Sequence, residues 1–356
     1  MAAGNFDVAG SAYMAALAKN PYDADAEMGI GTIELYRNHL DAARAHLQRA
    51  LELAPSSIVA RSRVDSIVKR TGGPNDFKIA YAGSQARVSL VAIDPLPTLK
   101  ATINGQPVTL VIDTGGANVD VSEALASRLH LSTKLVGQGT FAGGRKAQLR
   151  STRIDRLDLP GVRVRNIPGN VMPGNPPPGI DGIIGTSFLY HFLATIDYAH
   201  GALVLRPADE SAAYLASAEA AGATAVRMWL VGDHFLFARA HVNAAPDGLY
   251  SIDTGGPGIG VDLTKSSLEA AGITPDPSRP QSMRGGGGTA QVLPFTAASV
   301  TMGDVTLHDL PGVYVRGGGL DGVFPFTVAG RISHEFFRHM AVTFDFSAMT
   351  LVLAPA

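Results

Sequence analysis

The stretch Ile112-Asp113-Thr114-Gly115-Gly116 follows a hydrophobic run and recurs 140 residues later as Ile252-Asp253-Thr254-Gly255-Gly256. In each copy an aspartate is followed by a threonine and two glycines. Glycines allow backbone or water to approach a carboxylate closely. The repeated motif therefore predicts two equivalent loops, each ending a strand and each supplying one carboxylate to a shared site.

Other features recur in the same order around this motif, which indicates an internal duplication. The pairs are Thr195-Ile196-Asp197-Tyr198 with Thr343-Phe344-Asp345-Phe346, Asn166-Ile167-Pro168-Gly169 with Asp309-Leu310-Pro311-Gly312, and Asp181-Gly182-Ile183-Ile184 with Asp321-Gly322-Val323-Phe324. A single matched tripeptide could arise by chance. Several matches in one order favour two copies of one structural unit.

Composition limits the function classes. The chain has 356 residues, 46% apolar and 17% charged, so it has room for more than one domain and for a sizeable core. A net charge of −2 argues against nucleic acid as a main partner. No apolar run reaches the roughly 18 residues of a membrane span, so we expect no integral membrane segment. The absence of cysteine excludes a thiol nucleophile, disulfides and cysteine-ligated zinc.

The first part of the chain is predicted to be helical and repetitive. Small, aromatic and proline residues recur at a spacing of about 34 residues, the period of the tetratricopeptide repeat (TPR). These residues are Ala9, Tyr13, Ala16 and Pro21, followed by Ala43, Leu47, Ala50 and Pro55. Residues 5–19 resemble the second helix of a repeat. We expect either that further sequence precedes them in the natural protein or that this helix acts as a cap.

Changes in composition suggest the domain limits. Residues 1–72 form the TPR-like helical domain, and the turn-rich stretch 71–76 is a linker. Short β-type runs follow in two units, residues 77–207 and 225–356. An alanine-rich connecting segment, residues 208–224, separates them. The expected fold class is mainly β, preceded by a small α-helical domain.

On these motifs, residues 77–356 resemble the two-lobed pepsin-like and retropepsin-like aspartic proteases of bacterial type. The resemblance implies two lobes built as closed barrels with ψ-loops. It places Asp113 and Asp253 at the catalytic positions, with no cofactor or metal. It also implies that Thr114 and Thr254 hydrogen-bond across a pseudo-twofold axis, next to the supporting glycines Gly115 and Gly255.

The chemistry of such a pair follows from electrostatics. Two neighbouring carboxylates cannot both ionise cheaply, so one keeps a proton and the pair titrates as a unit. The ionised member can take a proton from water while the other donates to a carbonyl oxygen. The predicted activity is hydrolysis of peptide bonds in a peptide or protein substrate, and the TPR helices are a possible contact for a protein partner.

In the resemblance, each catalytic loop is braced by a hydrophobic-hydrophobic-glycine strand. Ile183-Ile184-Gly185 fits this pattern in the first unit. The second unit leaves two alternatives. A 140-residue register puts Pro325 in the place of Gly185, whereas a short insertion would make Val328-Ala329-Gly330 the bracing strand.

Glycine-rich segments after each aspartate are candidates for mobile flaps that cover a substrate. The candidates are Phe141, Gly143 and Gly144 in the first unit and Gly285 and Gly286 in the second. Neither segment contains the tyrosine usual in pepsin-like flaps. The flaps are therefore expected to be closer to the retropepsin kind.

Two other interpretations were weighed. The segment His334–His339 resembles a zinc motif, but its histidines are not spaced to share one helix face, so no metal is expected there. A non-catalytic scaffold that binds peptides through the groove and the TPR surface is the alternative function. No signal peptide is visible. A periplasmic or secreted location is a hypothesis based on export signals in bacterial relatives and on the truncated-looking N-terminus.

Overall fold

The computed structural model has helices at its N-terminus and two related sets of strands after them. It describes residues 1–140, 146–173, 176–285, 288–316 and 322–355. The N-terminal helices are α1 (Phe6–Lys19), α2 (Ala24–Tyr36), α3 (Leu40–Leu53) and α4 (Ile58–Thr71). Within the described ranges, no helix combines the length and the hydrophobicity needed to cross a membrane.

These helices begin and pack for local reasons. The side chains of Asn5, Asp23 and Ser57 each accept a hydrogen bond from the backbone N–H three residues later, which caps α1, α2 and α4. Small residues allow close helix contacts. A Cβ atom on Gly31 would lie 2.8 Å from Cγ of Leu47 on the neighbouring helix. The predicted helical character of this segment is confirmed, while its assignment to the TPR class stays a prediction.

Strands dominate the rest of the chain, as expected from the sequence. The first half (residues 77–207) contains β1 (Lys78–Tyr81), β2 (Ala86–Ala92), β3 (Thr98–Ile103), β4 (Gln106–Ile112), β5 (Val119–Val121), α5 (Glu123–Arg128), β6 (Thr133–Thr140), β7 (Lys146–Leu159), β8 (Val162–Val171), β9 (Gly182–Ile184), α6 (Thr186–Leu189), β10 (Leu193–Asp197) and β11 (Ala202–Arg206). A 3-10 turn (Ala208–Glu210) and α7 (Ser211–Ala220) form the connection.

The second half repeats this order from β2 onward. It comprises β12 (Thr224–Val231), β13 (Phe235–Val242), β14 (Gly248–Asp253), β15 (Val261–Leu263), α8 (Lys265–Ala270), β16 (Gln281–Gly285), β17 (Gly288–Met302), β18 (Val305–Val315), β19 (Gly330–Ser333), α9 (His334–Phe337), β20 (Met340–Asp345) and β21 (Thr350–Pro355).

Strand pairing shows that the halves share one topology. In the first, β9 pairs parallel with β4 and antiparallel with β5, which itself runs parallel to β8. In the second, β19, β14, β15 and β18 pair in the same way. Asn166 and Asp309, which begin one of the matched sequence features, both have positive φ, 57° and 53°. Asn and Asp tolerate this conformation better than most residues. The predicted duplication is confirmed.

One antiparallel sheet joins the halves, in the order β2-β11-β10-β20-β21-β12. At its centre Thr195 lies opposite Thr343, and their hydroxyl oxygens are 2.7 Å apart. Strands β2 and β12, at its two edges, also pair within the first and second halves respectively. The halves are therefore related by an approximate twofold axis through the β10–β20 pair.

The bracing strand of the second half differs from both sequence-based alternatives. Gly330 lies beside Tyr250, as Gly182 lies beside Leu110, so β19 (Gly330–Ser333) is the bracing strand. The match of Gly182 to Gly322 was wrong, because Gly322 lies in a turn with φ of 71°. Asp-Gly pairs favour turns, which explains the misleading similarity. The correct offset is 148 residues, the separation of Thr195 and Thr343.

The helical segment packs against the second half. Phe6 is 1% exposed, and its ring centroid lies 5.6 Å from that of Trp229 and 5.1 Å from that of Phe326. The guanidinium of the buried Arg70 donates hydrogen bonds to the carbonyl oxygens of Leu230 and Gly232, both at 2.9 Å. Burial lowers the pKa of Arg70 to about 10. The phenyl ring at the start of α1 is thus covered by side chains of the second half.

We expect Phe6→Ala to lower the free energy of unfolding by about 3–5 kcal/mol, because it removes a buried ring from this contact. Val8→Ala on the same helix is the matched control, since Val8 is 64% exposed. That variant should stay within about 0.5 kcal/mol of the parent. Urea unfolding of both variants measures the difference. Equal stabilities would contradict the docking of α1 on the second half.

Candidate active site

Strands β4 and β14 bring Asp113 and Asp253 to one place. A Cβ atom on Gly115 would lie 2.6 Å from the carboxylate atoms of Asp253, and one on Gly255 would overlap the carboxylate of Asp113. Each carboxylate therefore rests on the glycine that follows the opposite Asp-Thr pair. A larger residue at either glycine would displace the opposite aspartate.

Crossed hydrogen bonds hold the two loops together. The N–H of Thr114 donates to Oγ1 of Thr254 at 3.1 Å, and the N–H of Thr254 donates to Oγ1 of Thr114 at 3.0 Å. Each hydroxyl then donates to a carbonyl oxygen of the other loop, on Ile252 and Ile112, at 3.2 Å. Both threonines are buried. The two loops that carry the aspartates are consequently joined by four hydrogen bonds.

The environment of Asp113 favours its protonated form. Burial is the largest cause that raises the pKa of Asp113, followed by the negative charge of Asp253 and a hydrogen bond with its side chain. The N–H of Gly115, which donates to Oδ1 of Asp113 at 2.9 Å, offsets part of this rise, as does the charge of Arg331. Asp253 accepts the matching bond from Gly255 at 2.8 Å. The geometry suits a pair that shares one proton.

Arg331 is a site residue that sequence reasoning missed. It lies on β19, and its Nη1 donates to Oδ2 of Asp253 at 2.9 Å while its Nη2 donates to Oδ2 of Asp262 at 3.2 Å. The corresponding residue of the first half is Ile183. The signal was present in the chain, because the 148-residue offset of Thr195 and Thr343 aligns Arg331 with Ile183.

Ser333 replaces the glycine of the bracing strand. In the first half the N–H of Gly116 donates directly to the carbonyl oxygen of Asp113 at 3.1 Å. In the second half the N–H of Gly256 donates to Oγ of Ser333 at 3.1 Å, and that hydroxyl donates to the carbonyl oxygen of Asp253. The bracing strand of the second half thus has a serine where a glycine was predicted, and its hydroxyl links Gly256 to Asp253.

The predicted flap residues fall mostly outside the described residues, since Phe141, Gly143, Gly144 and Gly286 are not among them. The neighbouring strands are described. Strand β6 pairs antiparallel with β7, and β16 pairs antiparallel with β17, where Gly285 lies opposite Gly288. A flap role for these segments stays a prediction.

A possible metal-binding group lies beside α9. Ligand atoms of Asp94, His334 and Glu335 lie within 4.8 Å of one another. However, Arg338 donates to the carboxylates of Asp94 at 2.8 Å and of Glu335 at 2.9 Å. The guanidinium of Arg338 therefore already pairs with both acids. We interpret the group as an ion-pair network.

A comparison with known protein families places both aspartates in segments that match one family. The aspartyl protease family model matches residues 99–188 and 241–325, once in each half, and the matched ranges include Asp113 and Asp253. These matches support an aspartic protease. No curated protein matches the chain.

Among solved structures, the chain is similar to a retropepsin-like aspartic protease from Rickettsia conorii. The identity is 18%, and the match covers 37% of this chain and 95% of that chain. The TM-score is 0.29.

Replacing Thr114 tests the crossed hydrogen bonds. Thr114→Val keeps the shape of the side chain but leaves the buried N–H of Thr254 without its acceptor, which costs about 1–3 kcal/mol of unfolding free energy. Thr114→Ser keeps the hydroxyl and is the matched control, with a smaller loss. Denaturant unfolding measures both. If the valine and serine variants were equally stable, the hydroxyl would not be holding the loops.

The raised pKa of Asp113 makes a prediction about stability. Its protonated form is favoured in the folded protein, so this contribution to stability is complete below the ordinary value of 3.8 and is lost as pH rises through the folded-state value. Asp113→Asn cannot ionise. As pH rises from 3.8 toward the folded-state pKa of Asp113, the parent should lose stability relative to this variant, by up to about 1.4 kcal/mol per pH unit. Parallel curves of unfolding free energy against pH would refute the assignment.

Proposed function

We propose that this protein is an aspartic endopeptidase that hydrolyses peptide bonds with a water molecule activated by Asp113 and Asp253. The observation that carries the proposal is the pair of carboxyl groups from two equivalent loops, locked by crossed hydrogen bonds. The raised pKa of Asp113, caused by burial and by Asp253, lets one proton be shared at a pH where a single carboxyl would have lost it.

In this reaction a water molecule between the carboxyl groups attacks the carbonyl carbon of the scissile bond. The ionised aspartate takes a proton from the water, and the protonated aspartate gives its proton to the carbonyl oxygen, which yields a gem-diol. The C–N bond then breaks. The leaving nitrogen takes the proton from the first aspartate, and a diol hydroxyl returns one to the second. The pair ends with the proton count with which it began.

We propose further that residues 1–72 are a TPR-like domain and that residues 77–207 and 225–356 are the two lobes, joined by residues 208–224. The contacts of Phe6 and Arg70 with the second half support a fixed position of these helices beside the strands. Exposed apolar side chains, such as Met14 at 58% and Ile58 at 82%, leave a surface that can contact a protein partner or substrate.

A peptide-binding scaffold is the second candidate, and one observation favours it. Arg331 and Ser333 stand in the second half where the first half has Ile183 and Gly185, so the strand that braces Asp253 departs from the pattern of the first half. Such a protein would keep the groove between the halves and bind peptides without turnover. Substitution of the aspartates separates the two functions.

Asp113→Asn and Asp253→Asn should each reduce cleavage of a denatured protein mixture by at least about 10²–10⁴-fold, because each removes one partner of the proton transfer. Mass spectrometry of the products between about pH 3 and 8 measures the loss and gives the cleavage sites. Asp247→Asn is the control, since this carboxylate is 62% exposed and pairs with His241. Cleavage that survived in either dyad variant would argue against the enzyme, and peptide binding without cleavage in the parent would favour the scaffold.

A further inference from the structure

The two halves differ in charge at one position beside the dyad. Ile183 pairs with Val111 and Asp120, and Arg331 pairs with Ser251 and Asp262 at the equivalent places. In the first half the end of the Ile183 side chain packs against Gly116. In the second half the guanidinium reaches the aspartate instead. The approximate twofold symmetry of the backbone is therefore broken electrostatically.

Arg331 is well placed to act on Asp253. Its side chain is 20% exposed and that of Asp253 is 13% exposed, so solvent screens the pair only weakly. Two separate nitrogens of the guanidinium bind two separate carboxylates, on Asp253 and on Asp262, which fixes its plane. Charge-assisted bonds of this kind are among the strong hydrogen bonds in proteins.

We propose that Arg331 is a positioning residue for the dyad proton: it holds Asp253 as the ionised member and leaves the proton on Asp113. This inference rests on the proposed function. It makes Asp253 the base that takes a proton from water and Asp113 the acid that donates to the substrate carbonyl. Both steps keep the proton balance given above.

The surrounding charges support this assignment. A negative charge on Asp253 lies 2.9 Å from the cation, whereas a negative charge on Asp113 faces the carboxylate of Asp253 in a buried place. The charges that act on Asp113 are those of Asp253 and Arg331, and the contribution of Arg331 is the smaller. Arg331 therefore acts on Asp253 through a direct charge-assisted hydrogen bond, whereas it acts on Asp113 only through its charge.

Other titratable groups around the pair do not reverse this bias. Asp262 faces Arg331 from β15. Burial acts to lower the pKa of Arg331, but the charges of Asp253 and then Asp262 raise it overall, so Arg331 stays charged. Tyr198 is buried, and its pKa is raised by burial and then by the charges of Asp113 and Asp253, so it is neutral. His334 directs Nε2 toward Asp94 at 3.2 Å, and its ring centroid lies 5.5 Å from that of Tyr198.

The expected consequence is a change in one limb of the pH profile. The pair becomes active when it loses its first proton and inactive when it loses the second. Without the positive charge of Arg331, the pair loses its first proton only at higher pH, while the pH at which it loses the second proton changes less. In Arg331→Met the acid limb of kcat/KM should move up by about 1–3 pH units, and the alkaline limb should move less.

Matched variants isolate the charge. Arg331→Lys keeps a cation and should keep the acid limb closer to that of the parent. Ile183→Met makes a substitution of similar size at the equivalent position of the first half, and it should leave both limbs at their original pH even if the rate changes. An acid limb that stays in place in Arg331→Met, or that moves equally in Ile183→Met, would overturn the proposal.

The methionine variant removes the ion pair with Asp262 and can destabilise the fold. The double variant Arg331→Met/Asp262→Asn removes both charges of that pair and should show a shift of the acid limb in the same direction, smaller because the negative charge of Asp262 is lost as well. Higher cleavage at every pH with unmoved limbs, in either variant, would mean that Arg331 only obstructs the site. That result would also overturn the proposal.

A readout without cleavage separates this inference from the proposed function. Carboxyl carbons of ¹³C-labelled aspartates report each ionisation by NMR, with Asp113→Asn and Asp253→Asn to assign the signals. We expect Asp253 to lose its proton at lower pH than Asp113 in the parent, and this difference to shrink in Arg331→Met. If Asp253 lost its proton first in a protein that cleaves no substrate, the proton assignment would be supported and the proposed enzymatic function would be refuted. Loss of the Asp113 proton first would overturn the assignment even in an active enzyme.

Discussion

The crossed hydrogen bonds between Thr114 and Thr254 are the interaction on which the rest of the site depends. They join two loops that lie 140 residues apart in sequence, and they do so in a buried place where an unmade bond is costly. The central sheet, with Thr195 opposite Thr343, aligns the halves so that these bonds can form. Gly115 and Gly255 then leave room for each carboxylate to lie against the opposite loop.

Such an arrangement places two acids where only one can ionise easily. Burying this pair costs folding free energy, and the same burial gives the two carboxyl groups different protonation states. The backbone surrounds the two acids almost equally, since each carboxylate accepts a hydrogen bond from the N–H of the glycine two residues later. The side chains around the two acids differ, because Arg331 lies beside Asp253 whereas Ile183 occupies the equivalent position near Asp113. A duplicated fold can thus hold two chemically different aspartates.

The sequence predicted the parts of this structure that depend on local pattern. The repeated motif located Asp113 and Asp253, and the matched features located the duplication. Arg331 was missed, because the sequence around Gly322, which lies in a turn, resembles the bracing strand and shifted the alignment. The docking of Phe6 and Arg70 was also missed, since contacts between distant segments leave no trace in helical periodicity. The true offset was nevertheless readable from Thr195 and Thr343.

Binding of a transition-state mimic tests the central claim, that Asp113 and Asp253 form one proton-sharing pair. Calorimetry would compare a peptide that carries a tetrahedral hydroxyl carbon at the scissile position with the same peptide lacking that hydroxyl. The account predicts that the hydroxyl strengthens binding to the parent by about 10²-fold or more and that this gain disappears in Asp113→Asn. Equal affinity of the parent for both peptides would contradict it and would leave a groove that binds peptides without acting on them.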